Sequence, residues 1–160
     1  VKRIDCSTKT HPNVFAIVDD EDYPSISAHK WSAEKRYAGY YAIRCVSENG
    51  KRTMIRMHQQ IMGATGVHID HKDGNGLNNR RSNLRLCTRT ENQRNQKSAC
   101  GTSKYKGVSW YAPTGKWVAG IRFAGKRKYL GYFSDERDAA IAYNKAASEL
   151  FGEFASLNEI

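Results

Sequence analysis

No apolar run in this 160-residue chain approaches the roughly 18 residues that a membrane-spanning helix needs, so it holds no transmembrane candidate. A helix with a continuous Lys/Arg face is missing too, and with it the case for a membrane-surface protein. No charged-then-apolar leader pattern opens the chain. The four cysteines, Cys6, Cys45, Cys87 and Cys100, are scattered and form no CxxC pair. No structural zinc is therefore expected, and reduced thiols are expected rather than disulfides. Acid is the scarce charge: 16 Asp and Glu stand against 26 Lys and Arg, giving a formal charge of +10 and a pI near 9.6. That balance points to a polyanionic partner, nucleic acid first.

What is present falls into two halves joined by a polar stretch. In the first, Val14–Val18 reads as a buried strand. The acidic run Asp19–Asp22 after it reads as a helix start or solvated turn rather than a metal site, since negative charge is favoured there. Trp31 is expected to anchor a core. Tyr37–Val46 alternates as a strand, and Asn49-Gly50 supplies a hairpin turn into Thr53–Met57. Met57–Met62 reads as a short helix ended by Gly63. His58, within it, is taken as structural.

The stretch Val67–Asn95 (VHIDHKDGNGLNNRRSNLRLCTRTENQRN) organises the rest. It reads as a strand ending in Asp70-His71, a Gly/Asn-rich loop with Asp73-Gly74 and Asn75-Gly76 turns, a strand Leu84–Cys87 and a helix from about Thr90. Its residue types suit phosphodiester hydrolysis. A His with a pKa near neutrality can activate water. A carboxylate and an amide oxygen are hard donors suited to magnesium or manganese. Adjacent strand residues point to opposite sides, so Asp70 and His71 should diverge. Basic residues, Arg81 and Arg85 among them, surround the proposed phosphate site and read as phosphate contacts.

The order and spacing of Asp70-His71, Asn83 and Asn92 resemble the HNH nuclease family, a hairpin and helix closed around one divalent metal. The resemblance implies His71 as general base and Asp70 and Asn92 as metal ligands. It implies that Asn83 holds the loop and the His ring in place. Residues 1–95 would then form the nuclease domain with its mixed front lobe, and residues 96–103, in the polar run QRNQKSACGTS, a linker.

The tail, 104–160, reads as three short strands and a helix. Trp117, Ala119, Ile121 and Phe123 alternate with Val118, Gly120 and Arg122. Ser134 is the expected N-cap of a helix whose Ala-rich face (Ala139, Ala140, Tyr143, Ala146, Ala147, Leu150) packs on the sheet, with Gly152 closing it. Seven basic residues and no acid lie between Lys104 and Phe133, so the sheet is the face expected to meet nucleic acid. YKGVSWYAPTGKW through FGEFASLN resembles the APETALA2-type DNA-binding domain, which lays its three-stranded sheet in the major groove. Lys106, Lys116, Arg122, Arg127 and Tyr129 fall on its DNA-contact positions, and Lys126 reads as a phosphate contact. Ser109, Tyr111 and Gly120 depart from the plant pattern, so no target sequence carries over. Trp110, Trp117 and Phe133 are expected to be core.

The resulting expectation is an α+β, two-domain, site-preferring DNA endonuclease similar to phage or intron-borne homing endonucleases. It would act on double-stranded DNA with Mg2+ (or Mn2+) in the cytoplasm of a bacterial or phage-infected cell. The sequence leaves oligomeric state open with a monomer favoured, and a monomer with one metal site would be expected to nick. Two rivals stand beside it. One is a transcription-factor-like DNA binder with an inactive nuclease lobe, against which the intact Asp70, His71, Asn83 and Asn92 argue. The other is a nuclease acting on RNA, for which a single-strand stacking platform is not obvious.

Overall fold

The computed structural model describes residues 1–36, 39–95 and 101–160. Tyr37, the start of an expected strand, lies outside them, as do Gln96–Cys100 of the expected linker. The chain is mixed α/β, with small antiparallel sheets and few helices. It divides into two compact units, Val1–Asn92 and Gln93–Ile160.

In the first unit, β1 (Lys2–Asp5) pairs with β2 (Phe15–Val18), and α1 (Tyr23–Ser27) follows. A meander comes next: β3 (Ser32–Arg36), β4 (Gly39–Glu48) and β5 (Lys51–Arg56). The turn joining β4 to β5 puts Asn49 at φ 50° and Gly50 at φ 76°. Two consecutive positive φ angles are what a type I′ hairpin turn requires, and Asn-Gly adopts them at least cost. Then come α2 (Met57–Met62), ended by Gly63 at φ 61°, the hairpin β6 (His68–His71) and β7 (Leu84–Cys87), and α3 (Arg89–Asn95), whose residues from Gln93 on belong to the second unit. The start of α3 is fixed by a capping box. Thr88 Oγ1 accepts the Glu91 N–H at 3.2 Å, while Glu91 Oε2 accepts the Thr88 N–H at 2.7 Å.

One apolar core joins these pieces, from Ile4, Val18 and Ile26 through Met57 and Ile61 to Ile69 and Leu84 of the hairpin. Trp31 sits in it, 2% exposed, and donates its indole N–H to the Ile26 carbonyl at 2.8 Å. β1 and β3 were not expected from the sequence. KRID and SAEKR are charge-rich, and pairing rather than composition makes them strands.

In the second unit β8 (Val108–Tyr111), β9 (Lys116–Phe123) and β10 (Lys126–Phe133) form an antiparallel sheet in the order β10-β9-β8, with α4 (Glu136–Phe151) against it. Ala139, Ala140, Tyr143, Ala147 and Phe151 are the buried positions of α4. The small side chains of Ala139, Ala140 and Ala147 let the helix approach Ala119 and Ile121 of β9. The helix is capped one residue later than the expected Ser134. Asp135 accepts the Arg137 and Asp138 N–H groups at 2.6 and 3.4 Å, and a carboxylate suits the positive end of the helix.

Candidate active site

The hairpin register decides which side chains share a face. His68 pairs with Cys87, Asp70 with Arg85, and His71 with Leu84. The side-chain period of two then puts Asp70, Arg85 and Cys87 on one face and Ile69, His71, Leu84 and Leu86 on the other. Ile69 and Leu84 enter the core, so His71 points inward with them. Asp70 and His71 diverge, and both are buried, at 4% and 5% exposure.

His71 sits among side chains from three other segments. Its ring lies edge-on to His58 of α2 at 5.0 Å and to Tyr41 of β4 at 5.8 Å. Its Nε2 lies 3.4 Å from Oδ1 of Asn79, a loop residue with no exposed surface. Burial lowers the pKa of His71 below the ordinary 6.5, against the Asn79 hydrogen bond and the nearby Asp73 and Asp70, which raise it. His58 is pushed down to about 3, chiefly by burial and then by the charges of His71 and Arg56. His58, read from the sequence as structural, is brought beside His71 by the fold of α2 onto the hairpin.

The loop between β6 and β7 is tied by Asn83. Its Nδ2 donates to Asp73 Oδ1 at 3.0 Å and to the Asn78 carbonyl at 2.8 Å, and its Oδ1 accepts the Asp73 N–H at 3.2 Å. The His71 ring meets the Asn79 amide. Burial raises the Asp73 pKa, but hydrogen bonds from Asn78, the Asn75 backbone and Asn83 outweigh it and leave that carboxyl below its usual range. The loop lies hard against β4 at Gly76, where a Cβ would stand 2.5 Å from the Tyr40 carbonyl oxygen and 2.6 Å from the Tyr41 ring. No larger residue fits there without moving the backbone.

On the other face, the Arg85 guanidinium holds Asp70 Oδ2 through Nε at 2.8 Å and Nη2 at 2.6 Å. Cys87 stands beside this pair. Asp70 raises the thiol's pKa after burial does, and the Asn92 backbone amide donates to it from α3. Asp70 thus acts on this thiol through its charge, and α3 meets it through the Asn92 backbone N–H. Arg81 also has an internal partner, bidentate on Asp22 at 2.9 and 2.7 Å, with its backbone N–H on Asp19 at 2.8 Å. This accounts for the acidic cluster Asp19, Glu21 and Asp22, the one group of three metal-type donors among the described residues. Arg81 and Arg85, read from sequence as phosphate contacts, are committed to carboxylates here.

A family model described as HNH endonuclease matches residues 65–94. An uncharacterized HNH endonuclease of Acanthamoeba polyphaga mimivirus is 32% identical over 150 residues, covering 91% of this chain and 75% of that one. Protein 3.8 of Escherichia phage T7 is 34% identical over 108 residues, 62% of this chain and 88% of its own. The chain belongs to the HNH endonuclease family. HNH nucleases use divalent metal ions. The tail aligns separately with APETALA2-like protein 2 of Oryza sativa subsp. indica, 42% identical over 57 residues, 36% of this chain but 13% of the plant protein.

In this HNH endonuclease, the motif residues were visible from spacing, whereas Asn79, His58 and Tyr41 were missed as neighbours of His71. Nothing local marks them. The Asp70–Arg85 pair had a usable signal: opposite charges facing across a hairpin stabilise it, once the register is set.

The tail sheet has a clear division of faces. Arg122 pairs with Arg127, Gly120 with Tyr129, and Lys116 with Tyr111. These positions alternate with Ala119 and Ile121, which pack on α4. Lys116, Arg122, Arg127 and Tyr129 are exposed. Arg127 lies over the Tyr129 ring at 5.1 Å, and a Cβ on Gly120 would meet its Nε at 3.0 Å. Lys126 is exposed too, but it pairs with Phe123 and so has the parity of the helix-packed side, beside the β9–β10 turn. Lys106 is half-buried, donates its ammonium to the Arg94 carbonyl, and is held at a pKa of about 8 by burial. Trp117 and Phe133 pack against the core, while Trp110 is 43% exposed, edge-on to Trp117.

Proposed function

We propose that this endonuclease is a metal-dependent, site-preferring DNA nuclease whose hairpin unit cuts and whose tail sheet reads. The observation that carries the cutting half is the divergence of Asp70 and His71 on opposite faces of one hairpin. In this reading His71, neutral at pH 7, takes a proton from water. The water oxygen bonds to phosphorus as the bond to the leaving sugar oxygen breaks. Asn83 keeps the loop, and through it the end of β6, in register.

The donor set at the other face fits a hard divalent ion. A strand carboxylate and a helix amide leave the remaining positions to water and phosphate, which is how magnesium is usually held. Asp70 and Asn92 would hold it, and it would supply charge neutralisation at the leaving oxygen. Arg85 occupies Asp70 Oδ2 in the structure, so the guanidinium and the ion compete for one carboxylate. Excess EDTA should abolish cleavage of duplex DNA and leave DNA binding within about twofold, measured by gel assay and anisotropy. Undiminished cutting in chelator would end the metal assignment.

The recognition half is supported by the exposed Arg122, Arg127, Lys116 and Tyr129 on the sheet face away from α4, and by the plant alignment over the tail. Arg127→Ala should cost about 1–3 kcal/mol of affinity and relax preference at one or two base pairs. Lys126→Ala should weaken all sequences alike and reduce the salt slope of log K by about 1. Selection from a randomised duplex pool distinguishes them. An unchanged preference in Arg127→Ala would remove that residue from readout.

A further inference from the structure

The residue that orients His71 is not one of those the motif names. Asn79 has no exposed surface, and both ends of its amide are fixed. Its backbone N–H donates to the Ile17 carbonyl at 2.8 Å. Its Nδ2 donates toward the Gly76 carbonyl at 3.5 Å, which turns Oδ1 to His71 Nε2. An amide oxygen can only accept. The shared proton must then sit on Nε2, and the lone pair that could take a proton from water sits on Nδ1. The separation of 3.4 Å is long, as such contacts often are before substrate tightens them. Asn83 cannot do this job from where it stands, because its amide is committed to Asp73 and the Asn78 carbonyl.

We propose that Asn79 is a positioning residue for the base: it selects the Nε2–H tautomer of His71, while the edges of His58 and Tyr41 fix the ring plane. This rests on the reading of His71 as base. His58 stands at 87° to the His71 ring and Tyr41 at 69°, so the imidazole is braced on two sides and held at Nε2 by Asn79. During the reaction Nδ1 takes the water proton, Nε2–H stays on Asn79, and the leaving sugar oxygen takes a proton from solvent. The imidazolium then returns its extra proton to solvent. The wrong tautomer presents an N–H to the water and cannot accept, a fault worth about 10⁴-fold in the serine-protease precedent.

The test uses the full chain with 15N-labelled histidine, above pH 7.5 where the ring is neutral. The wild type should show His71 protonated on Nε2 by its ring nitrogen shifts. Asn79→Leu should mix the tautomers and lower the single-turnover rate by roughly 10²- to 10⁴-fold, with DNA affinity within about twofold. Asn79→Asp keeps an acceptor for Nε2–H and should hold both the tautomer and the rate within about tenfold of wild type. A wild-type ring protonated on Nδ1 overturns the proposal. So does Asn79→Leu with unchanged tautomer and rate, or Asn79→Asp no better than Asn79→Leu. If the Leu variant does not fold, the wild-type tautomer and the Asp variant decide. A His71→Ala protein that cuts at nearly the wild-type rate would overturn the base reading itself, whichever tautomer is seen.

Discussion

Replacing His71 with Ala should lower the single-turnover cleavage rate by roughly 10²- to 10⁴-fold, the usual contribution of a general base, and leave DNA affinity nearly unchanged. The affinity should survive because the ring is 5% exposed and faces the core side of its hairpin. The wild-type rate should fall with acid, since only the neutral imidazole accepts a proton. Burial lowers the His71 pKa, so the fall should lie on the acid side of the ordinary value of about 6.5. His58 adds a separate acid effect. Its folded pKa of about 3 lies below its unfolded one, so between the two the unfolded chain binds more protons. The stability this gives is present above pH 6.5 or so and is lost as pH falls toward 3. Circular dichroism along the same pH series separates unfolding from loss of the base. A flat rate profile with a nearly active His71→Ala would place the base elsewhere. The exposed His68 would be next, since a His58 held at about 3 is too weak a base.

What could be read in the sequence was what local chemistry dictates. Asn49-Gly50 and Gly63 mark their turns because positive φ is a property of one or two residues. The spacing of Asp70, His71, Asn83 and Asn92 is likewise carried within one hairpin and helix. Contacts between distant segments were not legible. Arg81 meets Asp22 across 59 residues, and no spacing rule links them. His58 reaches His71 only because Met57 and Ile61 sink α2 into the core. The charge-rich β1 and β3 are strands through their partners, which a single stretch cannot reveal.

Those long-range pairs also qualify the charge argument. The net +10 remains a reason for affinity to a polyanion, but it cannot be divided evenly among the cations near the hairpin. Arg81 neutralises an acidic cluster and Arg85 a buried carboxylate. The exposed cations of the tail sheet are free of nearby acids in sequence, which shifts the weight of non-specific attraction toward the second unit.

Arg85→Ala should therefore behave differently from the loss of a surface phosphate contact. Asp70 and Arg85 have side chains 5% and 10% exposed, and removing one partner of such a pair typically costs about 3–5 kcal/mol because the other charge is left buried. The metal-free variant should melt well below the wild type. Magnesium should then restore more stability to Arg85→Ala than it adds to the wild type. In the wild type the ion must first displace the guanidinium from Asp70; in the variant that competitor is gone, so the dissociation constant falls and the stabilisation, RT ln(1 + [L]/Kd), grows. Thermal denaturation in EDTA and in a magnesium series measures both quantities. Adding Asp70→Ala to the variant should abolish the magnesium response. A response no larger than that of the wild type, or one that survives the loss of Asp70, would show that the ion is not held by this carboxylate.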